Sequence, residues 1–388
     1  MNIRLGLPAL TAVLYMTSAF GQTGATQEPA KAPDKPADAQ APAPAPAAPA
    51  PSIWSVGPID FSGLIDGYYD VNFNHPADSF NQLRNFDVKA NQFSLNMAKL
   101  SLSHSPDPVG FRVDFGFGRA FEIIHASEQA PEIFQYLEQV YISLKPKQMK
   151  GFELDFGEFV TSAGAEVIET NGNWNYSRSL LFAWAIPYYH FGLRTSMPLG
   201  KHFTAGVQLV NGWNNVEDNN SGKTVGLTSA VTFSKVTWST NYYTGPENPN
   251  TNQGFRNLID STLLFTPSDK LNAYINYDYG RNKFPGPGSA HWSGIAGAVK
   301  LAPNSKFAVT PRIEYYNDTD GFTTGTIQQL WEFTMTGEYK MVEGFLARVE
   351  YRHDHSNMPF FNRGDTLAAV PDQNTILVGM VAFFGPKR

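Results

Sequence analysis

Residues 328–355 read QQLWEFTMTGEYKMVEGFLARVEYRHDH, and this stretch decides the fold. From Trp331 and Glu332 onward, apolar residues recur at every second position, with polar or charged residues between them. Alternation with a period of two predicts β-strands that have one apolar face and one polar face. The stretch therefore predicts two adjacent strands, 328–341 and 344–355, joined by a short turn.

The same alternation occurs in sixteen segments between residues 59 and 384, and most of them are ten residues or longer. A tilted strand needs about 9 to 11 residues to cross a bilayer, whereas strands of soluble proteins average about 5 to 6. Short turns such as 105–108 alternate with longer loops such as 164–182, which is typical of outer-membrane barrels. The sequence predicts an all-β fold, a transmembrane antiparallel up-and-down β-barrel of about 16 strands (about 14 to 18), with short periplasmic turns and long extracellular loops. The predicted strands include 109–121, 133–145 and 183–198.

The composition of the 388 residues agrees with such a barrel. Aromatic residues make up 14% of the chain and charged residues only 16%, yet the mean hydropathy is −0.28. Strands that meet lipid on one face and water on the other need this combination. A net charge of −6 disfavours a nucleic-acid partner, and the lack of cysteine excludes a disulfide framework. Aromatic residues near strand ends are predicted to form interfacial girdles: Tyr68, Tyr69, Phe73, Trp213, Tyr242, Tyr243, Tyr315, Tyr316 and Phe384.

The N-terminal region predicts export and a tether. Residues 1–21 have Arg4, an apolar stretch too short to span a membrane, and small residues before a cleavage position, as in a secretory signal peptide. Residues 22–58 are rich in Pro and Ala, and we expect them to be a disordered periplasmic tether with a role in contacting peptidoglycan or simply as a spacer. The barrel then occupies residues 59–388.

A closed barrel of this size leaves an aqueous lumen lined by the polar strand faces. Charges on these faces set the selectivity of such pores, although each can also be a solvated salt bridge. Five of the predicted lumen residues are arginines, which predicts a basic wall. The predicted pore-lining residues on strands are Arg112, Asp114, Arg194, Arg312, Glu314, Arg348, Glu350 and Arg352.

Several sequence patterns occur along the region after the tether: GLIDGYY at 63–69 with NFN at 72–74, NQFSL at 91–95, GFRVDFG at 110–116, and NYSRS at 175–179 with Pro187, His190, Gly192 and Arg194. In these patterns the chain resembles the OmpL-like β-barrel porins of the bacterial outer membrane. The resemblance covers nearly all of the region after the tether and implies a passive or weakly selective channel for small hydrophilic solutes. Outer-membrane lipid is then a partner, and both monomer and homotrimer stay open.

The resemblance also gives an expectation for the longest outer loop, 164–182. In general porins the third loop folds inward and forms the constriction. By this resemblance Glu166 and Glu169 would face the arginine wall across a narrow opening, and Arg178 belongs to the same loop. The alternative is an ordinary external loop.

Two other functions stay open at this level, and both are disfavoured. The sequence contains none of the motifs G-x-S-x-G, H-E-x-x-H, P-loop and G-x-G-x-x-G. We therefore predict no enzyme, no catalytic residues and no cofactor. The alternative is a barrel hydrolase that uses dispersed residues such as His190. His353-Asp354-His355 offers too few ligands to predict a metal site. A barrel with a purely structural, envelope-anchoring role is the remaining alternative.

Overall fold

The computed structural model describes residues 54–386. The predicted signal peptide and residues 22–53 of the predicted tether lie outside the described residues. The last five positions assigned to the tether are described, and Ser55–Val56 pairs with the strand that follows it through Ser55 opposite Asp60.

The predicted barrel is confirmed: sixteen strands form one closed antiparallel sheet. Each strand pairs with its neighbours in chain order, and the last closes on the first, with Phe384 opposite Gly63. Two short strands, β17 and β18, form a hairpin in the last outer loop, and β1 is a two-residue strand. The strands are β1 Ser55–Val56, β2 Ile59–Asn72, β3 Gln92–His104, β4 Val109–Phe117, β5 Leu137–Leu144, β6 Glu153–Val160, β7 Tyr189–Pro198, β8 Phe203–Val210, β9 Thr224–Phe233, β10 Val236–Pro246, β11 Phe255–Ser268, β12 Leu271–Lys283, β13 Ser289–Asn304, β14 Phe307–Asp318, β15 Gln328–Val342, β16 Phe345–Ser356, β17 Phe361–Arg363, β18 Thr366–Val370 and β19 Asp372–Phe384.

The alternation read from 328–355 sets the two faces of the wall. Trp331 on β15 is 57% exposed on the outer face, whereas Glu332 beside it is 3% exposed on the inner face. Closure of the sheet gives every strand two hydrogen-bonded neighbours. A barrel wall in lipid requires this, because lipid offers no hydrogen bonds to the backbone. The helical segments within residues 54–386 are too short, and not apolar enough, for any of them to cross a membrane.

Three predicted strands are shorter than expected at their outer ends. The strand predicted over 109–121 ends at Phe117, because Gly118 has φ 117° and the helix Arg119–Ile124 follows. A Cβ atom at Gly118 would lie 2.6 Å from the Asn96 carbonyl oxygen, so this turn requires glycine. The segments 133–145 and 183–198 likewise begin with helical turns, Glu132–Tyr136 and Leu181–Ala185.

The predicted girdle contains three residues that lie inside the barrel. Tyr68, Tyr243 and Tyr316 are buried, with exposed fractions of 4% or less. Each adjoins a second tyrosine in the sequence, and the pleat of the strand sends only one member of each pair outward. The prediction was wrong for these three residues because adjacent aromatics were assigned to the same face.

The strands divide the wall into two arcs of different height. The short arc, β4 to β10, has strands of 8 to 11 residues. The long arc, formed by β11 to β16, β19, β2 and β3, has strands of 12 to 16 residues.

Candidate functional site

The loop between β6 and β7, residues 161–188 and called the third loop below, lies inside the barrel. Its central residues Asn175 and Tyr176 are at most 1% exposed. The Asn175 side-chain amide donates to the Thr310 carbonyl oxygen at 3.1 Å and to the Thr336 hydroxyl at 2.7 Å, both on the long arc. The loop therefore leaves the short arc and reaches the opposite wall.

Arginines of the long arc bind the backbone carbonyls of the third loop. Arg348 donates to the carbonyl oxygens of Thr170 at 2.8 Å and Asn175 at 2.9 Å, and also to that of Asn173. Arg352 donates to the Arg178 carbonyl oxygen at 2.6 Å. Since a guanidinium group presents five N–H donors in a fixed plane, it can hold a loop and an acid together.

Acidic residues of the same wall accept the backbone N–H groups of the loop. Glu350 accepts from Tyr176 at 2.6 Å and from Ser177 at 2.9 Å. Glu314 accepts from Leu180 at 2.8 Å, next to the helical turn of the loop. The arginines of the wall thus bind carbonyl oxygens of the loop, and the glutamates of the wall bind N–H groups of the same continuous loop segment.

The wall charges are also paired with one another. Arg312 lies 2.8 Å from Glu166 of the third loop and 3.2 Å from both Glu314 and Glu332. Arg348 lies 2.6 Å from Glu338. The arginine side chains here are at most 1% exposed, so the charges stay in the interior only because pairs and hydrogen bonds compensate them.

The loop has a second ionic attachment on β3. Lys99 pairs with Glu169 of the loop and lies 3.0 Å from Asp114 and 2.9 Å from Glu138. Burial raises the pKa of Glu169, but the charge and hydrogen bond of Lys99 together with the charge of Arg112 outweigh that effect and hold the pKa below its usual value. The carboxylate oxygens of Asp114, Glu138 and Glu169 lie within 4.8 Å of one another, as in a metal site, and the lysine occupies the place of a cation.

The other predicted site residues form local pairs. Arg112 donates to Asp114 at 3.0 Å, and Arg194 donates to Asp155 at 2.8 Å on the short arc. Arg178 holds the loop to itself by donating to the Val167 carbonyl oxygen at 3.2 Å. Apart from Arg178, which bonds within the loop, the predicted residues fall into three groups: a cluster on the long arc, a cluster around Lys99, and the pair of Arg194 with Asp155 on the short arc.

A second loop inside the barrel was not predicted from the sequence. In the first outer loop, residues 73–91, Arg84 lies 2.7 Å from Asp354 of β16. Asn85 donates to the Ala183 carbonyl oxygen of the third loop at 3.0 Å, and the rings of Phe86 and Phe182 are 5.9 Å apart. Arg84 also pairs with Asp87 of the same loop, but its contact with the wall could not be read from the sequence, because Asp354 lies 270 positions away in the chain.

The His353-Asp354-His355 segment does not bring its three side chains together. Asp354 points inward, 2.8 Å from Arg352, whereas His355 lies 2.8 Å from Asp372 on the outer face. His353 lies 3.7 Å from the same Asp372 oxygen. The pleat therefore separates the acid from the two imidazoles.

Comparison with solved structures identifies the same barrel in outer-membrane proteins. OmpT of Vibrio cholerae is 12% identical over 86% of this chain and 100% of its own, with a TM-score of 0.57. An anion-selective porin from Comamonas acidovorans is 9% identical over 84% of this chain and 99% of its own, with a TM-score of 0.58. OprB of Pseudomonas putida is 11% identical over 84% of this chain and 94% of its own, with a TM-score of 0.56.

No curated protein matches the chain at a significant level. The family model described as "Putative beta-barrel porin-2, OmpL-like" matches residues 58–384, which is the whole barrel. The chain therefore belongs to the OmpL-like β-barrel porin family and is an outer-membrane protein.

Proposed function

We propose that this protein is a passive diffusion channel for small hydrophilic solutes or ions, and that the third loop forms its constriction. The observation that carries the proposal is the course of this loop, which is held by Arg312 on β14 and by Lys99 on β3. A loop fixed at two separate places inside the lumen limits the size of what passes. The fixed charges beside it act on the solute through the field in the narrow section.

The dense packing of this section supports a narrow channel. Arg312, Arg348 and Arg352 are at most 1% exposed, so a solute passes at this level only when part of the third loop shifts. Loop motions of this kind take nanoseconds to microseconds and need no energy source. The conductance expected is therefore small compared with that of a wide pore, and it is limited by the loop.

Planar-bilayer recording of the refolded protein tests the proposal. We expect stepwise conductance, and we expect Glu166→Gln combined with Glu169→Gln to shift the reversal potential in a salt gradient toward anion selectivity. The matched control is Glu122→Gln combined with Glu132→Gln, which removes the same charge from exposed positions of the second outer loop. A double loop variant with the reversal potential of the parent would contradict the role of the third loop.

The dense interior also favours a second candidate, a plugged barrel with a structural role in the envelope. Two loops fill the lumen at the level of Arg84 and Arg348. A plugged barrel would show no conductance steps in the same recordings. Binding of the 22–58 segment to peptidoglycan would support this candidate, and a pull-down with purified peptidoglycan measures it.

We also propose that the protein acts without catalysis. His190 is fully buried, its Nδ1 atom lies 2.8 Å from the Gly212 carbonyl oxygen, and its ring is stacked on Tyr243 with centroids 5.0 Å apart. An imidazole held in this way has a structural role. Esterase or peptidase turnover that is lost in His190→Ala would contradict this assignment.

The short arc supports a homotrimer. A strand of 8 residues covers about 20 Å along the membrane normal, less than the roughly 25 Å apolar band of such barrels. Beside this arc, an apolar groove of about 600 Å³ crosses the outer face of β19, β2, β3 and β4, and Ile65, Leu100 and Phe115 line it. A second copy of the chain would cover both the short arc and this groove. The barrels of similar fold include a trimer form of OmpT from Vibrio cholerae.

A further inference from the structure

Two acidic residues face each other on the long arc without a basic partner. Asp260 on β11 and Asp278 on β12 are directly opposite in the register of the sheet. Both are fully buried, and their carboxyl groups are in hydrogen-bonding contact. The ion pairs formed by residues 54–386 include neither of them.

Hydrogen bonds distinguish the two carboxyl groups. Asp260 accepts from the Gly164 N–H at 3.0 Å, from Asn276 at 2.9 Å and from Asn241 at 2.6 Å. Three N–H donors stabilise a carboxylate, so Asp260 is the ionised member. Asp278 adjoins Asp260 and Asn276, and the Asn276 amide also donates to the Asp260 carboxylate.

These contacts attach the start of the third loop to the wall. Gly164 donates to Asp260, and the next residue, Ala165, donates its N–H to Asn276 at 3.1 Å. Asn241 donates to the Ser162 carbonyl oxygen at 3.0 Å. The wall residues that hold the loop at 162–165 are therefore Asp260 of the carboxyl pair and the two asparagines, Asn241 and Asn276, that donate to it.

The titratable groups that face the pair are two neutral tyrosine hydroxyls and one further acid. Tyr243 of β10 faces Asp260, and Glu314 and Tyr316 of β14 face Asp278. The adjoining residue of β13 is Gly294, opposite Asp278 in the register. Glu314 is itself compensated, because Arg312 lies 3.2 Å away.

We infer that Asp260 and Asp278 are positioning residues that hold the root of the third loop through one shared proton, an inference that rests on the function proposed above. Two carboxyl groups in contact cannot both be ionised at little cost. Asp278 keeps its proton and donates a hydrogen bond to the Asp260 carboxylate. When the pH rises, this proton leaves to water, two carboxylates repel each other, and the loop residues bound to Asp260 and Asn276 loosen.

The test is the pH profile of conductance in planar bilayers, recorded with the full-length protein and three variants. In the parent protein we expect conductance to rise at least about twofold between about pH 5 and pH 9. Asp278→Asn mimics the protonated acid in shape, so we expect the low conductance at every pH. Asp260→Asn places an amide opposite the Gly164 N–H, so we expect high conductance at every pH.

The matched control is Asp155→Asn, which changes a lumen carboxylate that already has a basic partner, Arg194. This variant should keep the pH profile of the parent. A parent protein that conducts equally at all pH values, or an Asp278→Asn variant that keeps the parent profile, would overturn the inference and leave the channel intact. A protein without conductance at any pH would overturn the proposed function and the inference with it.

Discussion

The two arcs of the barrel differ in height, in what covers their outer faces and in what they contribute to the lumen. The long arc, with strands of 12 residues or more, covers about 30 Å along the membrane normal and can meet lipid unaided. The short arc cannot, and the third loop departs from it between β6 and β7. The short arc therefore supplies the loop that enters the lumen, and the long arc supplies the binding surface for that loop.

The outer face of the short arc carries an acidic residue that lipid alone would not favour. Glu158 of β6 has the parity of the lipid-facing residues, opposite Val140 and Phe191, yet it is only 1% exposed. The second outer loop covers it, and the His125 Nε2 atom lies 3.8 Å from its carboxylate. A carboxylate would be costly against lipid, so the cover of protein is what allows an acid at this position.

The largest effect is expected from breaking the binding surface on the long arc. Arg348→Met removes the donors to three loop carbonyls and the partner of Glu338. Loss of one partner from a buried ionic network costs about 3 to 5 kcal/mol. We expect conductance to rise several-fold in bilayer recordings and the free energy of unfolding in urea to fall by this amount.

The same change on the short arc is the control. Arg194→Met removes one ion pair, with Asp155, and no bond to the third loop. We therefore expect a smaller loss of stability and unchanged conductance steps. If both variants altered conductance equally, the division between loop-binding arc and loop-supplying arc would be wrong.

A charged residue substituted into the outer face should act differently where that face contacts lipid and where it contacts protein. Ile313 on the long arc is 64% exposed, and Ile313→Arg should cost about 2 to 4 kcal/mol near the middle of the bilayer without changing the oligomer. Phe156→Arg on the short arc should instead convert the proposed trimer into monomers. Light scattering of the detergent-solubilised protein measures the mass, and urea unfolding in vesicles measures the stability. A trimer that survives Phe156→Arg would place the contact elsewhere on the wall.

The strands themselves could be predicted because alternation is a local signal. The alternation predicts that Trp331 lies on the apolar outer face and Glu332 on the polar inner face, and the structure confirms both positions. Adjacent tyrosines give no such signal, and for this reason Tyr68 and Tyr69 were assigned to the same face. Helical turns at strand ends, such as the one after Gly118, replace only a few residues of a strand. The alternation of the neighbouring strand residues makes such short turns difficult to recognise in the sequence.

The partners inside the lumen could not be predicted from the sequence. Alternation directs Lys99 inward, but only the register of β3, β4 and β5 brings it to Asp114 and Glu138. Asp260 likewise acquires its importance from Asp278, which lies opposite it in the register. Such contacts depend on closure of the whole sheet, which no local pattern contains.

A small residue on the long arc makes room for the third loop. A Cβ atom at Gly379 of β19 would lie 2.3 Å from the Tyr176 ring, which is fully buried. Gly379→Ala should therefore displace the ring and cost about 1 to 3 kcal/mol, as overpacking usually does. Gly337→Ala is the control, since its nearest neighbour would be the Val349 carbonyl oxygen at 3.9 Å. Equal urea midpoints for the two variants would show that Tyr176 does not depend on this space.

The smallest effect concerns a single bond between the loop and the long arc. The Tyr176 hydroxyl donates to Asp66 of β2 at 2.6 Å, and Asn96 donates to the same carboxylate at 2.6 Å. Thr170 is a third donor to this carboxyl group, so Tyr176→Phe removes one of three donors, and we expect a loss of about 1 to 2 kcal/mol in urea unfolding. Tyr69→Phe is the control, because this ring lies on the outer face against Phe93, with centroids 4.7 Å apart. If Tyr69→Phe lowered the free energy of unfolding as much as Tyr176→Phe, the hydrogen bond to Asp66 would add nothing to the attachment of the loop. The attachment would then rest on the backbone contacts with Arg348 and Glu350.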